Sequence, residues 1–194
     1  MIKNIIFDLG GVILDIEVKK SIAAFASLDI NFSKVATPEF WNSLDDFSKS
    51  ICTSTLKLVT NQQIETAWIA LLGGFNARRM TFLENLSQNY FLYLFSNTDA
   101  IHTKAFEEKC RIQMHRKLGS YFKQTFYSQN IMLRKPNIFA FKKVIQLANT
   151  KPEETLFIDD KIENVKGARQ AGLYAYHLRT ELSQLNINKL VSEL

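Results

Sequence analysis

The sequence predicts an α/β fold, a doubly wound parallel sheet interrupted directly after its first strand by an all-helical insertion. Through the second half of the chain, short β-branched and aromatic runs alternate with helical stretches, the pattern of parallel strands joined by crossover helices. Residues 16–87, by contrast, carry helix signals only. Polar residues stand at the carboxyl ends of the strand-like runs, where open parallel sheets bind their ligands.

The first run, residues 2–7, ends in Ile5-Ile6-Phe7 and reads as a strand buried on both faces. Further strands are expected at 91–97 (FLYLFSN), 125–128 (TFYS), 155–160 (TLFIDD) and 174–178 (YAYHL), with helices between them at about 98–118, 136–148 and 162–171. Gly172 stands where a helix C′ glycine is expected. In the insertion, Thr37-Pro38-Glu39 resembles an N-cap followed by proline, and Thr60 with Gln63 resembles a capping box. Ile64, Ala67, Trp68, Leu71 and Leu72 then form one apolar helical face, which Gly73-Gly74 should end. The expected division is a core of residues 1–15 and 88–194 and a helical cap of residues 16–87.

Composition narrows the function. The 194 residues are 46% hydrophobic and 22% charged, ordinary values for a folded chain. The net charge of +5 is spread without a basic block; it fits an anionic small substrate as well as nucleic acid, solvated surface is its default reading, and no nucleic-acid partner is expected. Cys52 and Cys110 lack metal-ligand spacing, and the N-terminal apolar run is broken by Asp8. A cytoplasmic protein with no membrane partner, monomeric or homodimeric, is the expectation.

The strand ends carry the chemistry. Asp8 ends the first strand and is followed by Leu9-Gly10-Gly11; Ser96-Asn97-Thr98 ends the second; Lys135 follows the third; Asp159-Asp160 ends the fourth. Each group alone has an ordinary reading as a helix cap or a solvated charge. Together they are mutually consistent: three carboxylates converging on one crevice need a cation, and oxygen ligation with few protein ligands suits Mg²⁺. A lysine, a hydroxyl and backbone N–H groups suit phosphoryl oxygens, and one carboxylate is left to attack. Glycines after Asp8 let the backbone turn sharply and approach metal and phosphate without a Cβ in the way.

The segments FDLGGVILD, LFSNTD, RKPN and LFIDDKIEN resemble, in order and spacing, the four motifs of the haloacid dehalogenase-like (HAD) hydrolase superfamily. Their spelling is similar to the branch holding glucose-1-phosphate phosphatase and the N-terminal domain of soluble epoxide hydrolase. The resemblance implies a Rossmann-like core with a helical cap, and Mg²⁺-dependent hydrolysis of phosphate monoesters of small metabolites, sugar phosphates among them, through an aspartyl-phosphate. It implies that Asp8 is the nucleophile and a metal ligand, with the Gly10 carbonyl, Asp160 and Asp159 completing the metal site. Ser96, Asn97, Gly11 and Lys135 would bind phosphate, and Asn164 would support the site. Gly10 departs from the pattern, because most phosphatases of the superfamily carry a second, acid–base Asp there.

That departure keeps two alternatives open: a non-catalytic module that binds metal or a phosphometabolite, and a haloacid dehalogenase, which would leave the Asp159-Asp160 pair uncompensated beside an anionic substrate. The order of the acidic residues argues against a phosphoacceptor receiver. Glu17, Lys19, Lys20 and Trp41 are candidates for facing the site from the cap, with solvent or core as the default. His102, His115 and His177 show no ligand spacing and read as surface or capping residues.

Overall fold

A computed structural model describes residues 1–35 and 59–194. Its centre is a five-stranded sheet in the order β5-β4-β1-β6-β7, every pair parallel. The strands are β1 (Asn4–Phe7), β4 (Phe91–Ser96), β5 (Gln124–Tyr127), β6 (Thr155–Asp159) and β7 (Tyr174–His177). The strands expected from sequence are all present, with ends shifted by at most two residues.

Register explains why these runs form the sheet. Ile5 lies beside Leu92 and Leu156, and Phe7 beside Leu94 and Ile158. These side chains form an apolar layer on one face, packed against Phe106 and Cys110 of α5 (Ala100–Met114) and Met80 and Leu83 of α4 (Ala77–Leu86). Ile6, Tyr93 and Phe157 alternate onto the other face, against Phe141 and Val144 of α7 (Ile138–Ala148) and Val165 and Ala168 of α8 (Ile162–Gln170). Burial on both faces is what a parallel strand requires. Gly172, just past α8, has φ +93°, the left-handed conformation expected of a C′ residue.

The inserted segment holds α1 (Val18–Ser27), the short α2 (Phe32–Val35) and α3 (Asn61–Ile69) among its described residues. The Thr60–Gln63 capping box is present at the start of α3. Thr37-Pro38-Glu39, Trp41 and Cys52 lie outside the described residues.

The expectation of helices only across 16–87 needs one correction. The α3 helix stops at Ile69, and Leu72–Phe75 is a strand, β3, paired antiparallel with β2 (Leu14–Ile16). Gly73 and Gly74 lie inside this strand instead of ending the helix. A Cβ on Gly73 would stand 2.8 Å from the Asp15 carbonyl oxygen, so the two backbones close on each other only because that position is bare.

Side chains of α4 and α5 grip this ribbon. The guanidinium of Arg79 donates to Asp15 Oδ1 at 2.7 Å, to the Ile13 carbonyl at 3.3 Å and to both oxygens of Glu181 at 2.7 and 2.8 Å. Lys109 Nζ donates to the carbonyls of Leu72 and Gly73 at 2.6 and 2.8 Å, and Gln113 Oε1 accepts from the Phe75 N–H at 2.9 Å. Among the described residues no helix is long and apolar enough to cross a membrane.

Candidate active site

The polar strand ends meet at one edge of the sheet. Asp8 follows β1, Ser96 ends β4, Asp159 ends β6, and Lys135 comes from the loop after α6 (Ser128–Ile131), the short helix that follows β5. Asp8, Ser96, Lys135, Asp159 and Asn164 are all buried. All of these except Asp159 line a cavity of about 320 Å³, together with Gly10, Asn97 and Asp160.

Lys135 is the hub. Its Nζ lies 2.7 Å from Asp8 Oδ1, 2.8 Å from Asp159 Oδ2 and 2.9 Å from the Phe95 carbonyl, so each of its three protons faces an acceptor. Its backbone is fixed as well: the Asn97 side chain donates to the Lys135 carbonyl at 2.8 Å and accepts from its N–H at 2.9 Å. Sequence reasoning placed Asn97 only as a backbone donor to phosphate. Its side chain joins the second strand end to the lysine loop.

Asp159 is fully engaged by protein donors. Lys135 holds Oδ2, the Lys161 N–H donates to Oδ1 at 2.8 Å, and Asn164 Nδ2 reaches Oδ1 at 3.1 Å and Oδ2 at 2.9 Å. Asp160 differs, since its Oδ1 is buried without a hydrogen-bond partner among the described residues. One carboxylate oxygen each of Asp8, Asp159 and Asp160 lies within 4.8 Å of the others. Against one ammonium, three carboxylates leave a negative excess, and Asp160 offers an oxygen that no described residue satisfies. The oxygen-only donor set and that orphaned oxygen fit a hard divalent cation of the Mg²⁺ type.

Ionisation follows the same layout. Burial pushes the Asp8 carboxyl up to about 6, with Asp159 adding to the rise against the pull of Lys135. Burial opposes the charge on Lys135, but the carboxylates of Asp8 and Asp159 outweigh it and hold its ammonium above the ordinary lysine value. Burial, then the charge of Asp159, raises Asp160. A bound cation would reverse the rise on the carboxylates.

The two glycines do different work. Gly11 has φ +79°, and a Cβ there would collide with the Asp160 carboxylate, so the residue's bareness lets that acid close on the turn. Gly10 faces Ile16: a Cβ would stand 3.1 Å from Ile16 Cδ1. The space that a longer side chain at position 10 would enter is aliphatic.

Of the cap candidates, Glu17 pairs with Lys20 at 3.2 Å, and Lys19 and Lys20 are exposed. The cavity's insertion-side lining is instead Leu14, Ile16, Val18, Leu71 and Leu72. His115 is exposed, and His177 Nε2 sits 2.9 Å from the Asp160 carbonyl. His102, read from sequence as a surface or capping residue, is buried and lines the cavity with Phe106. The spacing Asp99-x-x-His102 at a helix start was the available signal.

The haloacid dehalogenase-like hydrolase model matches residues 2–172. A D-ribitol-5-phosphate phosphatase of Bacteroides thetaiotaomicron is 26% identical over 191 residues, covering 91% of each chain. A glyceraldehyde 3-phosphate phosphatase of Methanothermobacter thermautotrophicus is 29% identical over 59% of this chain and 49% of its own. Among solved structures, a HAD family enzyme of Bacteroides thetaiotaomicron in complex with magnesium and inorganic phosphate superposes with a TM-score of 0.87 at 28% identity, covering 98% of this chain and 99% of that one.

Proposed function

The chain belongs to the haloacid dehalogenase-like hydrolase family, and from that premise we propose that it is a Mg²⁺-dependent phosphatase of small phosphorylated metabolites acting through an aspartyl-phosphate. The observation that carries the reading is Lys135 Nζ held between Asp8 and Asp159 beside the unpartnered oxygen of Asp160. Relatives named as phosphatases of ribitol 5-phosphate and glyceraldehyde 3-phosphate support the substrate class. Their substrates are phosphorylated polyols and short sugars.

In this reading Asp8 attacks phosphorus with the oxygen that Lys135 does not hold, the ester P–O bond breaks, and the leaving alkoxide departs as the alcohol with a proton taken from water. Lys135 keeps the nucleophile ionised and oriented and offers positive charge to the phosphoryl oxygens. Ser96 and the N–H groups of Gly11 and Asn97 bind those oxygens. Asp8, the Gly10 carbonyl and Asp160 would hold Mg²⁺, with Asp159 orienting the group through Lys135 and Asn164. Bound Mg²⁺ supplies Lewis-acid stabilisation of charge on the phosphoryl oxygens. Water then cleaves the phosphoryl-enzyme and regenerates Asp8. Residues 1–15 and 88–194, with α4 packed on their sheet, form the catalytic core, and the rest of 16–87 the cap that meets the rest of the substrate.

Gly10 gives specific support to a second reading, a binding module without turnover, because Ile16 fills the side from which an acid–base group would act. One experiment separates the two. Phosphate release from para-nitrophenyl phosphate and ribitol 5-phosphate is measured with Mg²⁺, with chelator, and in Asp8→Asn. Metal-dependent turnover lost in Asp8→Asn supports the phosphatase. A folded protein that binds Mg²⁺ without releasing phosphate supports the module.

A further inference from the structure

A second buried polar cluster lies where insertion meets core. Asp99 is the N-cap of α5 (Ala100–Met114), accepting the His102 N–H at 2.8 Å. Its Oδ2 also accepts the Trp68 indole N–H at 3.1 Å and lies 3.2 Å from His102 Nδ1. The other ring nitrogen of His102, Nε2, stands 2.9 Å from the Trp68 carbonyl. Indole and imidazole are stacked, centroids 4.5 Å apart and planes 15° apart. Burial opposes ionisation of Asp99, but the contacts from His102 and the Trp68 indole outweigh it and hold this carboxyl below its usual range.

Two features connect the cluster to the site. Asp99 stands three residues after Ser96, which carries the proposed phosphate hydroxyl, and one helical turn before His102. On the insertion side, the Trp68 carbonyl that meets His102 also accepts the Leu71 N–H at 3.2 Å, and Leu71 and Leu72 line the cavity. Ile101 adds apolar weight by burying itself in the insertion's own cluster with Phe25, Ile64 and Trp68. Displacing α3 (Asn61–Ile69) from α5 would therefore break several buried contacts and shift the Leu71–Leu72 wall.

We propose that Trp68 and His102 are positioning residues for substrate selection: through Asp99 they lock the end of α3 to the loop carrying Ser96, and so set how far the aliphatic wall stands from the phosphoryl centre. The proposal rests on the phosphatase reading above. It assigns recognition of the non-phosphate part of the substrate to a preset distance, with the chemistry at Asp8 left independent of it.

The test is Trp68→Phe, which keeps an aromatic ring against His102 and removes the indole donor to Asp99. A hydrogen bond to a charged group corresponds to about tenfold in an equilibrium. The expected result is a KM for ribitol 5-phosphate raised about tenfold, with kcat on para-nitrophenyl phosphate within about twofold of wild type. Unchanged KM values alongside a lowered melting temperature would overturn the proposal, because they mark a merely structural contact. His102→Gln, read by the same KM ratio, replaces Trp68→Phe if the latter fails to fold. Hydrogen exchange across residues 61–72 reads the lock without turnover. If wild type releases no phosphate from either ester, the phosphatase reading fails. Faster exchange in Trp68→Phe then supports the lock, and unchanged exchange refutes it.

Discussion

Gly167→Ala sets two terms of opposite sign against each other. Gly167 is buried in the middle of α8 (Ile162–Gln170). In a free helix interior, alanine there would stabilise by about 1 kcal/mol. In this position a Cβ would drive into the carbonyl oxygen of Pro136 and stand 3.0 Å from Phe141 Cε2. The first obstacle is backbone, which cannot rotate away, so the overpacking cost belongs toward the upper part of about 1–3 kcal/mol. The net expectation is a loss of about 1–2 kcal/mol, or a fall of about 2–8 °C in Tm for a chain of this size. Pro136 follows the lysine that bridges Asp8 and Asp159, so the same push moves Lys135. A displacement near 1 Å costs about 10²-fold in rate. Calorimetry and steady-state kinetics with para-nitrophenyl phosphate measure both. An alanine variant as stable and as active as wild type would refute the reasoning, because it would mean that the loop yields without cost and that Lys135 does not depend on α8.

Two further outcomes are expected. Lys135→Met leaves Asp8 and Asp159 buried without their cation, so urea melts should show a loss of about 3–5 kcal/mol, partly restored by Mg²⁺; unchanged stability would show that the carboxylates are neutral or solvated without it. Gly10→Asp alone should not raise turnover of ribitol 5-phosphate, because the new side chain meets Ile16; combined with Ile16→Ala it should raise kcat toward the 10²-fold scale of a recovered acid–base group, and a gain from the single substitution would contradict the role given to Ile16.

Much of the core was legible in the sequence because its determinants are local. Ile5-Ile6-Phe7 and Leu92 to Phe95 are aliphatic or aromatic at every position, as only strands buried on both faces need to be. The left-handed Gly172 and the Thr60–Gln63 box lie within a few residues of what they terminate. The four polar strand ends could be listed because the topology of a parallel sheet brings such ends together. Legibility failed where the partner is distant. Leu72–Phe75 has two glycines and no β-branched residue, and it is a strand because Leu14–Ile16 pairs with it. Leu71 and Leu72 kept the helical period that α3 had already abandoned at Ile69. His102 looked like a lone surface histidine because its partners include Trp68, 34 residues away. Asn97 reaches the lysine loop with its side chain, a contact spanning 38 residues that no spacing encodes.

The ribbon of β2 and β3 has a consequence for how such a protein can change over time. The chain leaves the sheet region through Leu14–Ile16 and returns through Leu72–Phe75, and these two crossings are hydrogen-bonded side by side. Arg79 of α4 and Lys109 and Gln113 of α5 hold that doorway. The sheet therefore meets the segment at the doorway, and α5 meets it again where Asp99 and His102 hold Trp68; the entropy of closing a longer loop between such fixed points grows only slowly with length. The stretch between these anchors can be lengthened or shortened while the register of β1, the turn at Gly11 and the seat of Lys135 stay fixed.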